Sequence, residues 1–205
     1  MKKNAFRIFL VAGIALLTTT ACSNTKKTTS SSSSSNITLQ SSSETPHKNI
    51  RLNLNSVHIA HAADQFQGGT TLEQLKNLFG EPSKSDQVPS GNATLDLYTW
   101  TFDKVIVTVQ LFQDSTIARS ISNFTFIRDA TITSKKYNQL TNGLTYEQVV
   151  SILGEPDNLA QSASSDSENM QAVWNSGIKS KISNPYIELT FVNNSLTNKN
   201  QAGLN

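Results

Sequence analysis

The chain has 205 residues, 16% of them charged, and a formal net charge of +2 with a pI near 8.6. From Ile50 to Asn205 there are 11 Lys and Arg against 14 Asp and Glu, a net charge of −3, so the basic pI comes from the amino-terminal quarter. Nucleic-acid binding is therefore not expected. The single cysteine, Cys22, excludes an intramolecular disulfide and a cysteine-based metal cluster.

Residues 1–21 have the pattern of a secretory signal peptide. Lys2, Lys3 and Arg7 precede ten uncharged residues, 8–17, and small residues follow. Ten apolar residues are too few to span a bilayer, which takes about 20. Thr19-Thr20-Ala21-Cys22 resembles the lipobox of bacterial lipoproteins, and the resemblance implies a lipid on Cys22 that holds the protein on a membrane. The alternative is an ordinary cleaved signal with an incidental cysteine.

Residues 22–49 are predicted to be a flexible tether that follows the lipidated cysteine. Serine fills positions 30–35 and 41–43, and such a composition cannot bury enough apolar surface to offset the entropy of ordering. A coil of this length would span about 30 Å, and roughly 90 Å when fully stretched. This length favours the extracellular side of a Gram-positive cytoplasmic membrane, unless the segment is only a spacer.

The remaining residues contain an internal repeat. Residues 69–82 match residues 143–156 at a constant offset of 74, and the two tryptophans, Trp100 and Trp174, have the same offset. We therefore divide this part into repeat 1, residues 50–128, and repeat 2, residues 129–205.

Each matched segment is predicted to contain a short helix. Thr71 and Thr145 are suited to N-caps, because each has a glutamine three residues later and can complete a capping box. Gly80 and Gly154, each followed two residues later by proline, predict where the helices end. Another helix is predicted before each of these, at about 57–66 and about 134–140.

Strands are predicted after each helix, from the enrichment in β-formers and the alternation of apolar residues. They cover residues 95–102, 105–112 and 117–127 in the first repeat, and 170–174, 186–192 and 196–202 in the second. The predicted fold class is α+β. It consists of two tandem repeats of helix, helix and antiparallel meander, with the helices on one face of the sheet and the opposite face open.

The matched segments, each ending in Gly-Glu-Pro and followed by a strand with tryptophan and a hairpin, carry a family resemblance. They resemble the tandem-repeat modules of β-lactamase inhibitory proteins, over about residues 55–203. The same module occurs singly in small outer-membrane-assembly lipoproteins of the SmpA/OmlA type, and in tandem in lipoproteins of Gram-positive bacteria. The resemblance implies this fold and binding through an aromatic-rich concave sheet. The inhibitory proteins also use disulfides, which this chain cannot form.

No catalytic set is evident in the sequence, and neither an enzyme nor a cofactor is predicted. The three histidines are His47, His58 and His61, and neither a P-loop nor a G-x-S-x-G motif is present. His58 and His61 would share one face of a helix, but two ligands do not make a metal site. Glu81 and Glu155 either form a catalytic carboxylate pair or simply occupy the same turn, each in its own repeat.

Protein binding is the preferred hypothesis. If they share the open sheet face, six aromatic residues would form a recognition surface: Tyr98, Trp100, Phe102, Phe112, Trp174 and Tyr186. The alternative is that the two tryptophans occupy equivalent places in the core. We therefore expect a lipid-anchored extracellular protein-binding module of the bacterial cell envelope. The alternatives are an inhibitor of a β-lactamase or penicillin-binding protein, and an envelope hydrolase.

Overall fold

A computed structural model describes residues 44–205, and its main element is one antiparallel sheet of eight strands. Each strand pairs with its neighbours in chain order. The strands are β1 (Lys84–Ser90), β2 (Ala93–Phe102), β3 (Val105–Phe112), β4 (Ser115–Ser122), β5 (Asn158–Ala163), β6 (Glu168–Trp174), β7 (Tyr186–Val192) and β8 (Ser195–Ala202). The helices are short: α1 (Lys48–Asn53), α2 (Leu72–Phe79), α3 (Ser134–Asn138), α4 (Tyr146–Leu153), and 3₁₀ turns at Leu54–Ser56 and Ala62–Asp64.

The predicted fold class is wrong. In place of two helix–helix–meander repeats there is one continuous sheet, because β4 pairs with β5 from Ala118↔Ser162 to Ile121↔Leu159. The helix predicted at about residues 57–66 is reduced to the 3₁₀ turn at Ala62–Asp64. The α-helices have only five to eight residues each and do not form the helical layer that the prediction placed on one face.

Two strands were not predicted, and their composition explains why. β1 is hydrophilic and contains Pro89, which a strand tolerates at the edge of a sheet because no ladder hydrogen bond is required there. β5, with the sequence NLAQSA, has no β-branched or aromatic residue, yet it pairs on both sides. Pairing with β4 and β6, rather than local propensity, makes it a strand.

Several local predictions are confirmed. The helix predicted near residue 134 is α3, and strands β3 and β7 have the predicted bounds. Capping boxes are present at both helix starts. The side chain of Thr71 accepts from the backbone N–H of Gln74, and the side chain of Thr145 accepts from that of Gln148. The side-chain carbonyl of each glutamine accepts in return from the backbone N–H of its threonine. Gly80 and Gly154 end these helices with φ of 80° and 81°.

The main core lies on one face of the sheet. In β3, Val105, Val107, Val109 and Leu111 are buried and alternate with half-buried residues, and β7 repeats the pattern. Buried side chains of α2 and α4 belong to the same cluster: Leu75, Phe79, Val149 and Leu153. Most side chains on the other face stay partly accessible to solvent, although Leu95 and Ala118 on it are buried, and we call it the half-exposed face.

The predicted signal peptide, Cys22 and most of the predicted tether lie outside the described residues. The last part of that tether packs on the domain. Thr45 is buried and its hydroxyl accepts from the backbone N–H of Ile127 at 2.9 Å, and His47 Nε2 lies 2.7 Å from Asp103 Oδ2. Among residues 44–205, no helix has the length and apolar character needed to cross a bilayer.

Candidate functional site

The half-exposed face presents an unbroken row of residues across seven strands. Thr99 on β2 pairs with Thr108 on β3, which pairs with Ser120 on β4, and the pairing continues strand by strand to β8. The full row is Thr99, Thr108, Ser120, Ala160, Gln171, Thr190 and Asn198. Partners directly opposite in an antiparallel pair project from the same face, so these side chains form one surface.

This surface is polar and carries no charge in its central row. None of the row is fully buried, whereas the adjacent Val107, Val109, Ala172 and Leu189 are. Charged side chains border the row. Lys84 on β1 pairs in register with Thr99 and forms an ion pair of 2.5 Å with Asp86, and Glu188 on β7 accepts from the amide of Gln171. Hydroxyl and amide groups on a rigid sheet can both donate and accept hydrogen bonds, which suits them to recognition of a polar surface.

The two tryptophans belong to the core. Trp100 and Trp174 are 1% and 0% exposed. Trp100 Nε1 donates to the carbonyl of Gly80 at 2.8 Å, and Trp174 Nε1 donates to that of Gly154 at 3.0 Å. Each indole therefore closes the glycine turn that ends a helix, and their equal spacing reflects two equivalent places in the core.

The other four predicted aromatic residues do not gather into one surface. Tyr98 and Phe102 lie on the core face beside Trp100 and are half-buried. Phe112 packs edge to face on Phe66, with ring centroids 6.3 Å apart. Tyr186 is half-buried on the half-exposed face, and its hydroxyl accepts from the amide of Asn200 at 3.3 Å. The condition for the predicted aromatic surface is not met, and a role of these residues in binding stays a prediction.

A polar groove of about 400 Å³ lies beside α4. The side chains of its lining come from the 3₁₀ turn at Leu54–Ser56, from α4 and the turn after it, from β4, β5 and β6, and from the turn between β7 and β8. They include Arg119, Tyr146, Glu147, Glu155, Gln161 and Glu168. The sequence did not predict this groove, because its lining residues are spread along the chain from Asn55 to Asn194 and no local motif joins them.

Burial shifts the pKa values of two side chains in the groove, Arg119 and Tyr146. Arg119 donates to the carbonyls of Leu54 and Val57 and to the side chain of Gln161, and desolvation lowers its pKa to about 10. Desolvation and the nearby carboxylate of Glu155 raise the pKa of Tyr146 to about 12. Both groups keep their protons at neutral pH, so neither is prepared to act as a general base.

The carboxylates of the groove already have partners. Glu155 accepts from Arg51 at 3.1 Å and from Asn55 at 3.2 Å. Glu168 accepts from Gln161 at 2.6 Å and lies 3.3 Å from His61 Nδ1. Glu81, in the turn that matches Glu155 in the first half, is exposed and pairs with Lys76 at 2.8 Å. The two glutamates therefore occupy matched turns with different surroundings, rather than one carboxylate pair.

The histidines do not assemble a site. Residues 57–61 are not helical, so His58 and His61 do not share a helix face. Among residues 44–205, no group of three or more His, Cys, Asp and Glu side chains has the geometry to hold a metal ion.

The fold and the half-exposed face define a small antiparallel-sheet domain, and comparison with known proteins places it in a family. Residues 46–204 match DUF3862, a domain of unknown function with a solved structure, and the chain belongs to this family. It is similar to a "putative beta-lactamase inhibitor protein" from Streptococcus mutans, whose crystal structure was determined at 1.40 Å resolution. The sequences are 49% identical, the TM-score is 0.76, and the match covers 79% of this chain and 100% of that chain. No curated protein matches.

The resemblance to β-lactamase inhibitory proteins is thus confirmed at a coarse level. The similar protein is described as an inhibitor, not as an enzyme, which is compatible with a role in binding.

Proposed function

We propose that this domain is a protein-binding module that docks a partner on its half-exposed face. The observation that carries the proposal is the uncharged row from Thr99 to Asn198, which crosses seven strands and is not fully buried at any position. Charged residues are depleted at the centre of protein interfaces relative to the rest of the surface. The row from Thr99 to Asn198 likewise carries no charge, and the charged Lys84 and Glu188 lie beside it.

Arginine substitutions on this face test the proposal. Thr99→Arg and Thr190→Arg place a large charge at two distant points of the row, while Asn77→Arg places the same side chain on the exposed surface of α2. With the protein crosslinked in the cells that make it, we expect a partner recovered with the unaltered chain and with Asn77→Arg, and lost with the other two. Equal recovery with all four proteins would reject the half-exposed face as the docking surface.

We also propose that the module is lipid-anchored through Cys22 on the extracellular side of a bacterial cytoplasmic membrane. The signal-like residues 1–21 and the sequence Thr19-Thr20-Ala21-Cys22 support this, and Gram-positive bacteria are favoured by the tether. Metabolic labelling with a radioactive fatty acid should label the chain and not the Cys22→Ser variant. An unlabelled chain that fractionates with the medium would contradict the anchor. The likeness to SmpA/OmlA-type lipoproteins remains a prediction.

A second candidate function is inhibition of a β-lactamase or a penicillin-binding protein. It is favoured by the likeness to the Streptococcus mutans protein over its whole length. The half-exposed face differs from the aromatic-rich surface that the family resemblance implies, because hydroxyl and amide side chains dominate it. Inhibition assays over a panel of both enzyme classes test this candidate. Absence of inhibition at micromolar protein would remove it and leave the docking proposal standing.

A role in binding also fits the ionisable groups of the polar groove. Its carboxylates have partners in Arg51, Asn55, Gln161, His61 and, for Glu147, Asn194, and its arginine and tyrosine keep their protons at neutral pH. An envelope hydrolase would need a free carboxylate or another base, so a wall-substrate turnover assay should give no product. Turnover that is lost on Glu155→Gln or Glu168→Gln would revive the hydrolase.

A further inference from the structure

Four lysines lie on two backbone segments that are joined to the carboxyl-terminal residues of the chain. Lys135, Lys179 and Lys181 are exposed and Lys136 is half-buried. Among residues 44–205, none of the four has an ion pair with an acidic side chain. We call these residues, together with Ile182, the lysine patch.

Backbone hydrogen bonds hold the segments of this patch together. The N–H of Ser134 donates to the carbonyl of Asn205 at 3.3 Å, and the N–H of Asn205 donates to that of Lys179 at 3.3 Å. The N–H of Lys179 also donates to the carbonyl of Ile132 at 2.7 Å. Backbones joined in this way lie about 5 Å apart, so the start of α3 is about 10 Å from Lys179.

No acidic side chain is interspersed with these lysines along the chain. Residues 130–140, 177–186 and 199–205 contain no Asp or Glu, and Asp129 and Glu188 lie just outside these segments. This is unusual for a domain with a net charge of −3 after residue 49. Lys199 has a different role, because its ammonium donates to the carbonyl of Leu140 at 2.8 Å and lies 4.6 Å from the ring centroid of Tyr137.

An apolar side chain projects from the same segment. Ile182 is 53% exposed and follows Lys181 directly. Its backbone is fixed by Ser180, whose hydroxyl accepts from the N–H of Ile182 at 3.0 Å. Its side chain lies against Gly203, where any Cβ would come within 2.4 Å of it. The isoleucine is therefore presented by an ordered turn.

We propose that the lysine patch binds the surface of an anionic lipid bilayer, with Ile182 entering the interface between headgroups and acyl chains. Clustered lysines are attracted to anionic headgroups, and an exposed apolar side chain adds contact that a soluble polyanion cannot offer. This interaction is separate from docking on the half-exposed face and from the lipid on Cys22. It would hold the domain in one orientation against the membrane.

Vesicle sedimentation tests the proposal. Residues 44–205 suffice as the protein, because the family match spans residues 46–204 and the solved Streptococcus mutans chain is covered in full by 79% of this chain. We expect sedimentation with vesicles of phosphatidylglycerol and phosphatidylcholine in equal amounts, weakening as salt rises, and none with phosphatidylcholine alone. Equal binding to both vesicles would overturn the proposal.

Three variants localise the effect. Replacement of all four lysines by serine should abolish sedimentation, with roughly a five-fold loss for each lysine removed. Ile182→Ser should weaken it without changing its salt dependence. The control, Lys48→Ser with Lys104→Ser, removes two exposed lysines elsewhere. At a lipid concentration where the four-lysine variant does not sediment, more than half of the control should sediment.

Two further outcomes would overturn the proposal. One is a four-lysine variant that retains the binding of the unaltered domain. The other is tighter binding to soluble polyphosphate than to anionic vesicles, together with no effect of Ile182→Ser, which would assign the patch to a soluble polyanion. If the four-lysine variant loses vesicle binding but still crosslinks to a protein partner, the lysine patch and the half-exposed face bind separately.

Discussion

The guanidinium of Arg51, which is fully buried in α1, donates to the carboxylate of Glu155, 104 residues later in the chain, at 3.1 Å. The same side chain donates to the carbonyl of Pro156 and the side chain of Asn55, each at 2.9 Å. Arg51 thus connects the amino-terminal helix to the glycine turn after α4. A buried charge without its partners is far more costly than an exposed one.

Replacing Arg51 by methionine should therefore destabilise the fold. We expect the free energy of unfolding to fall by about 3 kcal/mol, because three acceptors lose their donor and Glu155 loses its counter-charge. Urea unfolding followed by circular dichroism measures the change. Lys48→Met, an exposed position of the same helix, should change stability by less than about 0.5 kcal/mol. Similar values for the two variants would contradict a structural role of the Arg51 contacts.

The two capping boxes give a matched pair of substitutions. Thr71→Ala and Thr145→Ala should each lower stability by about 1 kcal/mol, since each leaves an N–H at the start of a helix without its acceptor. The two helices share no capping partner, so the double variant should show the sum of the two losses. Thr141→Ala, at an exposed site outside a helix, is the control. Thermal or urea unfolding of all four variants decides whether the caps are equivalent.

The raised pKa of Tyr146 predicts a loss of stability at alkaline pH. The folded protein retains this proton up to about pH 12, whereas the unfolded chain releases it near the ordinary value of 10.0. Stability from this group is therefore complete below about pH 10 and lost between about pH 10 and 12. Arg119, whose pKa is lowered to about 10, acts in the opposite direction over nearly the same range.

Tyr146→Phe removes the titration of the tyrosine and leaves Arg119 in both proteins. The variant's stability relative to the unaltered protein should be constant from pH 7 to 9 and rise by about 3 kcal/mol between pH 10 and 12. Urea titrations at a series of pH values measure this difference. A difference that does not change above pH 10 would mean that Tyr146 ionises as freely in the folded protein as in the unfolded chain.

The burial of both tryptophans predicts their spectroscopy. Trp100 and Trp174 should emit at short wavelength and resist quenching by acrylamide, because neither indole has more than 1% of its surface exposed. Replacing either by alanine should cost about 3 to 5 kcal/mol. Replacement by phenylalanine should cost less and remove only the hydrogen bond to Gly80 or Gly154 and part of the packing. Emission typical of water-exposed indole would contradict the structure.

The parts of the fold that the sequence predicted were those with a local pattern. The alternating valines of β3 identify a strand from eight consecutive residues, and the Thr-x-x-Gln sequences identify the starts of α2 and α4 from four residues each. β5 has no such signal and exists because strands on both sides supply its hydrogen bonds. Without it, the prediction lacked the strand that joins the two predicted meanders into one eight-stranded sheet.

The candidate sites could likewise be predicted only where a local sequence pattern exists. Period-two alternation correctly put Tyr98, Trp100 and Phe102 on one face but could not say which face, because aromatic side chains suit a core and an interface equally well. The polar groove was not predicted, since contacts such as that between Arg51 and Glu155 join residues with 103 others between them. The segments that carry Lys135 and Lys179 are joined only in the folded structure, by backbone bonds at Ile132 and Asn205.

The junction between β4 and β5 is the shortest ladder of the sheet, with four residue pairs against six to seven in each of the others. In the proposed arrangement, with the domain tethered at one end and a partner docked on its sheet, tension would act across the strands. Under such a load the sheet would part first at this seam, where the fewest hydrogen bonds resist. Arg51, which reaches from α1 to the turn before β5, is placed to act as a second fastening across the same line.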